Sequence, residues 1–180
     1  MKNIFVLVLF FLAAAALHAQ QYAPADAGSS VKFVIKNFGL NVDGSFKGLQ
    51  GKITFNRENP AASVFNVSVD AATVNTGNGK RDTHLKKDEY FAVAKYPKIN
   101  FTSTKITAAA QSGQYTVEGT ITIKGISKTV SFPFTVSTAA NGKLFTGQFK
   151  INRRNFKVGG NSLVLSDDVT VILNITTVKQ

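Results

Sequence analysis

Cysteine and tryptophan are absent from these 180 residues, methionine occurs only as Met1, and acidic residues are scarce, 10 against 21 Lys and Arg. The lack of cysteine excludes a disulfide scaffold, a thiol nucleophile, a cysteine zinc site and a lipidated N-terminal cysteine. The histidines are only two, His18 and His84, too few for a histidine-rich metal site within one chain. No G-x-S-x-G nucleophile signature is present, and Gly77 and Gly79 lack the Lys-Ser/Thr that follows in a phosphate-binding loop. The acidic pairs Asp88-Glu89 and Asp167-Asp168 are adjacent in sequence. Neighbours on a strand point to opposite faces, so neither pair makes a carboxylate dyad, and both read as solvated turn charges. No catalytic residue, metal or cofactor is assigned, and the chain is not read as an enzyme.

What is present is a folded domain behind an address. At 44% hydrophobic and 17% charged residues, the composition suits one domain with a sizeable core. Lys2 precedes an apolar run from Ile4 to Leu17, followed by His18-Ala19. The run falls short of the roughly 20 residues that span a bilayer, so residues 1–19 read as a secretory signal peptide cleaved after Ala19. Residues 20–180 are then one exported domain, periplasmic or secreted, in which His84 is the sole histidine. The excess of lysine is scattered along polar faces. It reads as solubility and attraction to anionic surfaces, contact with a membrane surface included, and not as a nucleic-acid site.

Period-two alternation dominates the domain. Phe65, Val67 and Val69 share one face, as do Val130, Phe132, Phe134 and Val136, and Val169, Val171, Leu173 and Ile175. Phe145, Gly147, Phe149 and Ile151 form a similar row with a glycine gap, where space is expected beside the rings. With candidates at Val31–Phe38, Ser45–Phe55, Lys98–Ala108, Gln114–Gly119 and Ile121–Lys124, the count is eight to ten antiparallel strands. Asn41-Val42-Asp43-Gly44, Gln111-Ser112-Gly113 and Ala140-Asn141-Gly142 read as turns between them. Asn75–Lys95 breaks the rhythm and reads as a long loop with one or two short helical turns. Alternation alone does not separate a closed barrel from a two-sheet sandwich. Nor does it separate a solid phenylalanine core from a lined cavity, although close packing favours the solid core.

The segment VNTGNGKRDTHLKKDEYFAVAKYPKINF carries Thr76-Gly77-Asn78, Arg81-Asp82, His84-Leu85, Tyr90-Phe91 and Lys95-Tyr96-Pro97 at a distinctive spacing. Phe33, Ile35, Gly44-Ser45-Phe46, Gly119 to Gly125, Ile151-Asn152-Arg153 and Ser166 to Val169 flank it. Together these residues resemble the YceI-like family of exported polyisoprenoid-binding proteins, over nearly all of Tyr22 to Lys179. The resemblance implies a mainly β fold: an antiparallel, lipocalin-like closed β-barrel of about eight strands, with one or two short helices in the long loop. It also implies an apolar cavity holding a polyisoprenoid, quinone or fatty-acyl chain for sequestration or transport. On that implication Phe33, Ile35, Phe55, Phe65, Val67 and Phe101 line the cavity, with Phe132, Phe134, Phe145, Gly147, Phe149 and Val171.

Departures from the family pattern occur where it often has Asp and His before the first strand, here Ala25 and Gly28, and a second His after it, here Asn37. Lys157 stands where glycine is usual. Arg81, Asp82 and His84 are the densest polar cluster and form a candidate collar at the cavity mouth, where arginine can fork two hydrogen bonds to a phosphate or carboxylate. The same residues would equally serve to cap a short helix and pin the loop. Two other functions stay open: a stress-protective or partner-binding module with a solid core, and a lipid-acting enzyme using His84. A homodimer is compatible with either binding role.

Overall fold

The computed structural model describes residues 20–180; the signal-peptide reading lies outside the described residues. Nine strands form one sheet: β1 (Gln20–Pro24), β2 (Ser30–Asn37), β3 (Leu40–Phe55), β4 (Val64–Asn75), β5 (Lys98–Ala108), β6 (Gln114–Ile123), β7 (Ile126–Ala139), β8 (Gly142–Asn152) and β9 (Leu165–Lys179). From β2 onward each strand pairs antiparallel with the next, and β9 returns to β2, so these eight close into a barrel. Closure removes the free edges that an open sheet would expose. Short β1 lies between the far ends of β3 and β9, with Tyr22 opposite both Ile53 and Lys179. Sequence alternation missed it because QQYAP is too short to show a period.

One expected turn is absent. Asn41 to Gly44 lies inside β3, paired with β2 from Phe33 to Lys36. The reversal occurs at Phe38-Gly39, both with positive φ, 51° and 75°. That combination is the two-residue hairpin turn whose twist matches its strands, in which Asn-Gly is the favoured pair. A bulky residue in that conformation costs about 1 kcal/mol or more. The Gln111–Gly113 and Ala140–Asn141 turns lie as expected.

The connections divide the barrel into two ends. Those between β1 and β2, β3 and β4, β5 and β6, and β7 and β8 lie at one end, which is packed solid. There Phe145 is 5% exposed and meets the rings of Tyr22, Phe55, Phe65 and Phe134 at centroid distances of 5.5–6.4 Å. At the opposite end, the β4–β5 connection contains the helix α1 (Gly79–Leu85), and the β8–β9 connection contains a 3₁₀ turn, Arg153–Phe156. Phe156 and Val158 pack with Ile121 and Ile123 and against Tyr90 and Phe91, so the two connections fold over one side of the rim.

Candidate functional site

Side chains on the inner face stop filling the barrel as it rises from the packed end. Val31, Phe33, Ile35, Val67, Phe101, Phe149 and Val171 point inward yet are only half-buried, whereas Ile53, Phe55, Phe132, Phe134 and Phe145 are buried. All of these but Phe55 surround a cavity of about 670 Å³, with Phe65, Phe134 and Phe145 at its floor. That volume is within the roughly 300–1,000 Å³ of small-molecule sites. Its wall is built in registered rows: Val171 of β9 lies opposite Phe33 of β2 and Phe149 of β8.

Glycines on the inner face help keep the centre open. Gly44 is directly opposite Phe33, and a Cβ there would overlap the Phe33 ring. A Cβ at Gly119 would come within 2.6 Å of the Phe101 ring. Each ring therefore lies flat along the wall over a glycine instead of projecting across the hollow, a packing that a side chain at the glycine would forbid. Phe132 and Phe149 similarly stack face to face along the wall, 4.2 Å apart at 12°.

The structure places eleven of the twelve apolar residues named from the sequence on this cavity: Phe33, Ile35, Phe65, Val67, Phe101, Phe132, Phe134, Phe145, Gly147, Phe149 and Val171. Phe55 is the exception. It sits below the floor, edge-on to Tyr115 and Phe145, because β3 runs from the mouth at Leu40 to the packed end at Phe55. Gly147 offers less room than its register suggests: an added Cβ would lie 3.3 Å from the Pro133 carbonyl and 3.4 Å from the Phe132 ring.

Arg81 and His84 reach the cavity mouth, and Asp82 does not. The loop enters α1 through Asn78, whose side chain accepts from the Arg81 amide at 3.1 Å, so Asn78 is the helix cap and not Arg81 or Asp82. Asp82 accepts from the Thr76 amide at 2.9 Å and its hydroxyl at 2.6 Å. Arg81 donates through Nε to the Thr76 hydroxyl and through Nη2 to its carbonyl, at 2.7 and 2.8 Å. Both charges thus pin the start of the loop, and Arg81 does so while lining the cavity. His84 places Nε2 3.4 Å from Glu89 Oε2 and meets Tyr90 edge-on, with Glu89 and Tyr90 also at the mouth. The carboxylate at the mouth is therefore Glu89 and not Asp82.

Three further features were missed. Arg153 is 4% exposed and uses all five of its N–H donors. They go to the carbonyls of Ser166, Val158, Gly160 and Leu165, and to Asp167 at 2.8 Å. Asp167 is consequently an ion-pair partner on β9 and not a solvated turn charge, and the guanidinium holds the β8–β9 connection in shape. Of the other expected turn charges, Glu89 lies beside His84 and exposed Asp88 pairs with Lys95 at 2.9 Å, whereas Asp168 is solvent-exposed as expected. The Lys95 hydrogen bond and charge hold the Asp88 carboxyl below its usual range.

Lys124 Nζ donates to the carbonyls of Glu89 and Lys157, tying the β6–β7 turn to both long connections. Burial there pushes its pKa down. Lys157 has a left-handed backbone, φ 53°, at the end of the 3₁₀ turn, which explains why glycine suits that position. The position of Gly28 is at the packed end, far from any head group at the mouth, whereas Asn37 does line the cavity. Among the described residues no group of three His, Asp or Glu side chains is arranged to hold a metal ion, and no helix is long and apolar enough to cross a membrane.

A closed antiparallel barrel, hollow at one end and covered by two structured connections, is the arrangement against which known proteins can be compared. The YceI-like domain matches residues 22–177. The chain belongs to the YceI-like family. A UPF0312 protein of Yersinia enterocolitica is 30% identical over 179 residues, covering 95% of this chain and 92% of that protein. Among solved structures, Burkholderia cenocepacia BcnA superposes with a TM-score of 0.80 at 26% identity, over 84% of this chain and 98% of that one. A polyisoprenoid binding domain from Saccharophagus degradans shares the fold, with a TM-score of 0.71 at 17% identity, over 88% and 98% of the two chains. The YceI-like barrel is thus shared across proteins whose sequences have diverged widely.

Proposed function

We propose that this YceI-like protein binds one long apolar molecule, a polyisoprenoid, quinone or fatty-acyl chain, and sequesters or carries it outside the cytoplasm. The observation that carries this reading is the half-exposed apolar wall around a cavity of about 670 Å³. Such a wall leaves apolar area in contact with water, and an apolar chain entering it would cover that area. Each methylene buried contributes about 0.8 kcal/mol before ordering costs, so a long chain needs few polar contacts. Arg81, His84 and Asn37 supply donors at the mouth for an oxygen-bearing head group. The polyisoprenoid-binding Saccharophagus domain of the same fold supports this class of cargo. The apolar run Ile4 to Leu17 supports export.

The test is native mass spectrometry of the protein purified from its own cell envelope, with organic extraction of whatever it holds. A stoichiometric apolar molecule is expected, and its mass identifies the chain. A protein that is empty and also ignores added prenyl, quinone and acyl lipids would overturn the reading.

A further inference from the structure

We infer that the open end of the barrel docks on an anionic lipid bilayer, with Phe38, Leu40, Leu163 and Val164 entering the boundary between head groups and acyl chains. The two loops concerned are joined by a hydrogen bond from the Phe38 amide to the Val164 carbonyl, 2.9 Å. Side chains that a fold would normally cover are bare there: Phe38 is 74% exposed, Leu40 73% and Leu163 105%. The exposure is not a consequence of turn chemistry. The β6–β7 turn at the same end has a similar pair of positive φ values, 51° and 71°, at Lys124-Gly125, and its Lys124 side chain ties down two neighbouring connections. Phe38 occupies the equivalent strained position, and its side chain remains largely in solvent. Asparagine would suit that backbone better; within the fold Phe38 contributes only to the rim of the cavity, and most of its ring is left to solvent.

Charge gives the occupant its chemistry. The connections at the open end, residues 38–39, 76–97, 124–125 and 153–164, carry nine Lys and Arg against three Asp and Glu. Those at the packed end, residues 25–29, 56–63, 109–113 and 140–141, carry one against two. An apolar tip within a cationic surround matches the interface of a bilayer with anionic head groups, where apolar burial and electrostatic attraction act together. Docking in this pose sets the cavity mouth against the acyl chains, so cargo passes between bilayer and barrel without crossing water. This last step rests on the carrier reading; the docking itself does not.

The experiment is vesicle flotation of residues 20–180, whose strands close on themselves without the N-terminal apolar run. Phosphatidylcholine vesicles with and without phosphatidylglycerol are the probes. Binding is expected to the phosphatidylglycerol vesicles, to weaken at high salt, and to fall about tenfold or more in L40S/L163S. Neither leucine lines the cavity, so this variant should still take up a soluble fluorescent fatty acid. F38N should also lose vesicle binding while unfolding at the same temperature or higher. Wild-type protein that floats with neither vesicle, or variants that float as well as wild type, would overturn the docking. So would a lipid-free dimer that L40S/L163S dissociates, since the rim would then be a self-interface. Flotation lost in L40S/L163S, from a wild-type protein that never takes up the fatty acid, would keep the docking and refute the carrier reading instead.

Discussion

The two ends of one barrel are made from the same alternating pattern and do opposite things with it. At the packed end, inward side chains meet across the axis, and Phe145 alone touches four aromatic rings. At the open end, inward rings lie along the wall over Gly44 and Gly119 and leave the axis empty. Stability resides in the first and capacity in the second. Hollowing out the interior costs contacts, which is tolerable only where another part of the fold is close-packed.

This contrast can be broken most forcefully at its centre. Phe145→Ala should destabilise the protein by about 3–5 kcal/mol in chemical denaturation. Phe33→Ala should cost less than about 1.5 kcal/mol, because it widens a hollow already present and removes a half-exposed ring. Equal losses would mean that the cavity closes in solution and the two ends do not differ.

The open end has one firmly built part, the loop held by Arg153. Arg153→Met should cost about 2–4 kcal/mol, because it leaves four carbonyls short of a donor and Asp167 without its nearest cation. Its exposed neighbour Arg154, 3.8 Å from the same carboxylate, should lose under about 0.5 kcal/mol in Arg154→Met, measured the same way. A large effect at Arg154 would show that the loop is held from outside.

The finest test separates capacity from stability. Val171→Trp fills the space between Phe33 and Phe149 and should shift the unfolding free energy by less than about 1 kcal/mol. Uptake of prenyl or acyl probes should nevertheless be lost. Retained uptake would move the binding site away from the row of Phe33, Val171 and Phe149. Gly147 is a poorer place for this experiment, because even a methyl group there crowds the Phe132 ring.

Inward and outward positions were legible in the sequence because a strand's side-chain period is two. Hence Phe33, Val67, Phe149 and Val171 were identifiable as inner-face residues from alternation and the family resemblance. Height along the axis was not, since it depends on register and strand direction. Phe55 has the same alternation as Phe65, yet one lies beneath the floor and the other forms it. Turn chemistry misled at Asn41 to Gly44, whose glycine serves the Phe33 ring and not a reversal. The true turn at Phe38-Gly39 carries a residue that no turn preference suggests.

Composition and periodicity by themselves established an antiparallel β chain that holds no cysteine and only two histidines, because residue inventory and period are properties of the chain. The tertiary structure decided which polar groups face the cavity and which are consumed in holding loops. Arg81, Asp82 and His84 are nearly adjacent in sequence, yet Asp82 is committed to Thr76 while the other two reach the mouth. Arg153 and Asp167 are 14 residues apart, and only the closing of β8 onto β9 brings them together. Whether the phenylalanines filled a core or lined a hollow was likewise beyond the sequence pattern. The same inward rings serve either purpose, and the outcome depends on what lies beneath each ring in the neighbouring strand.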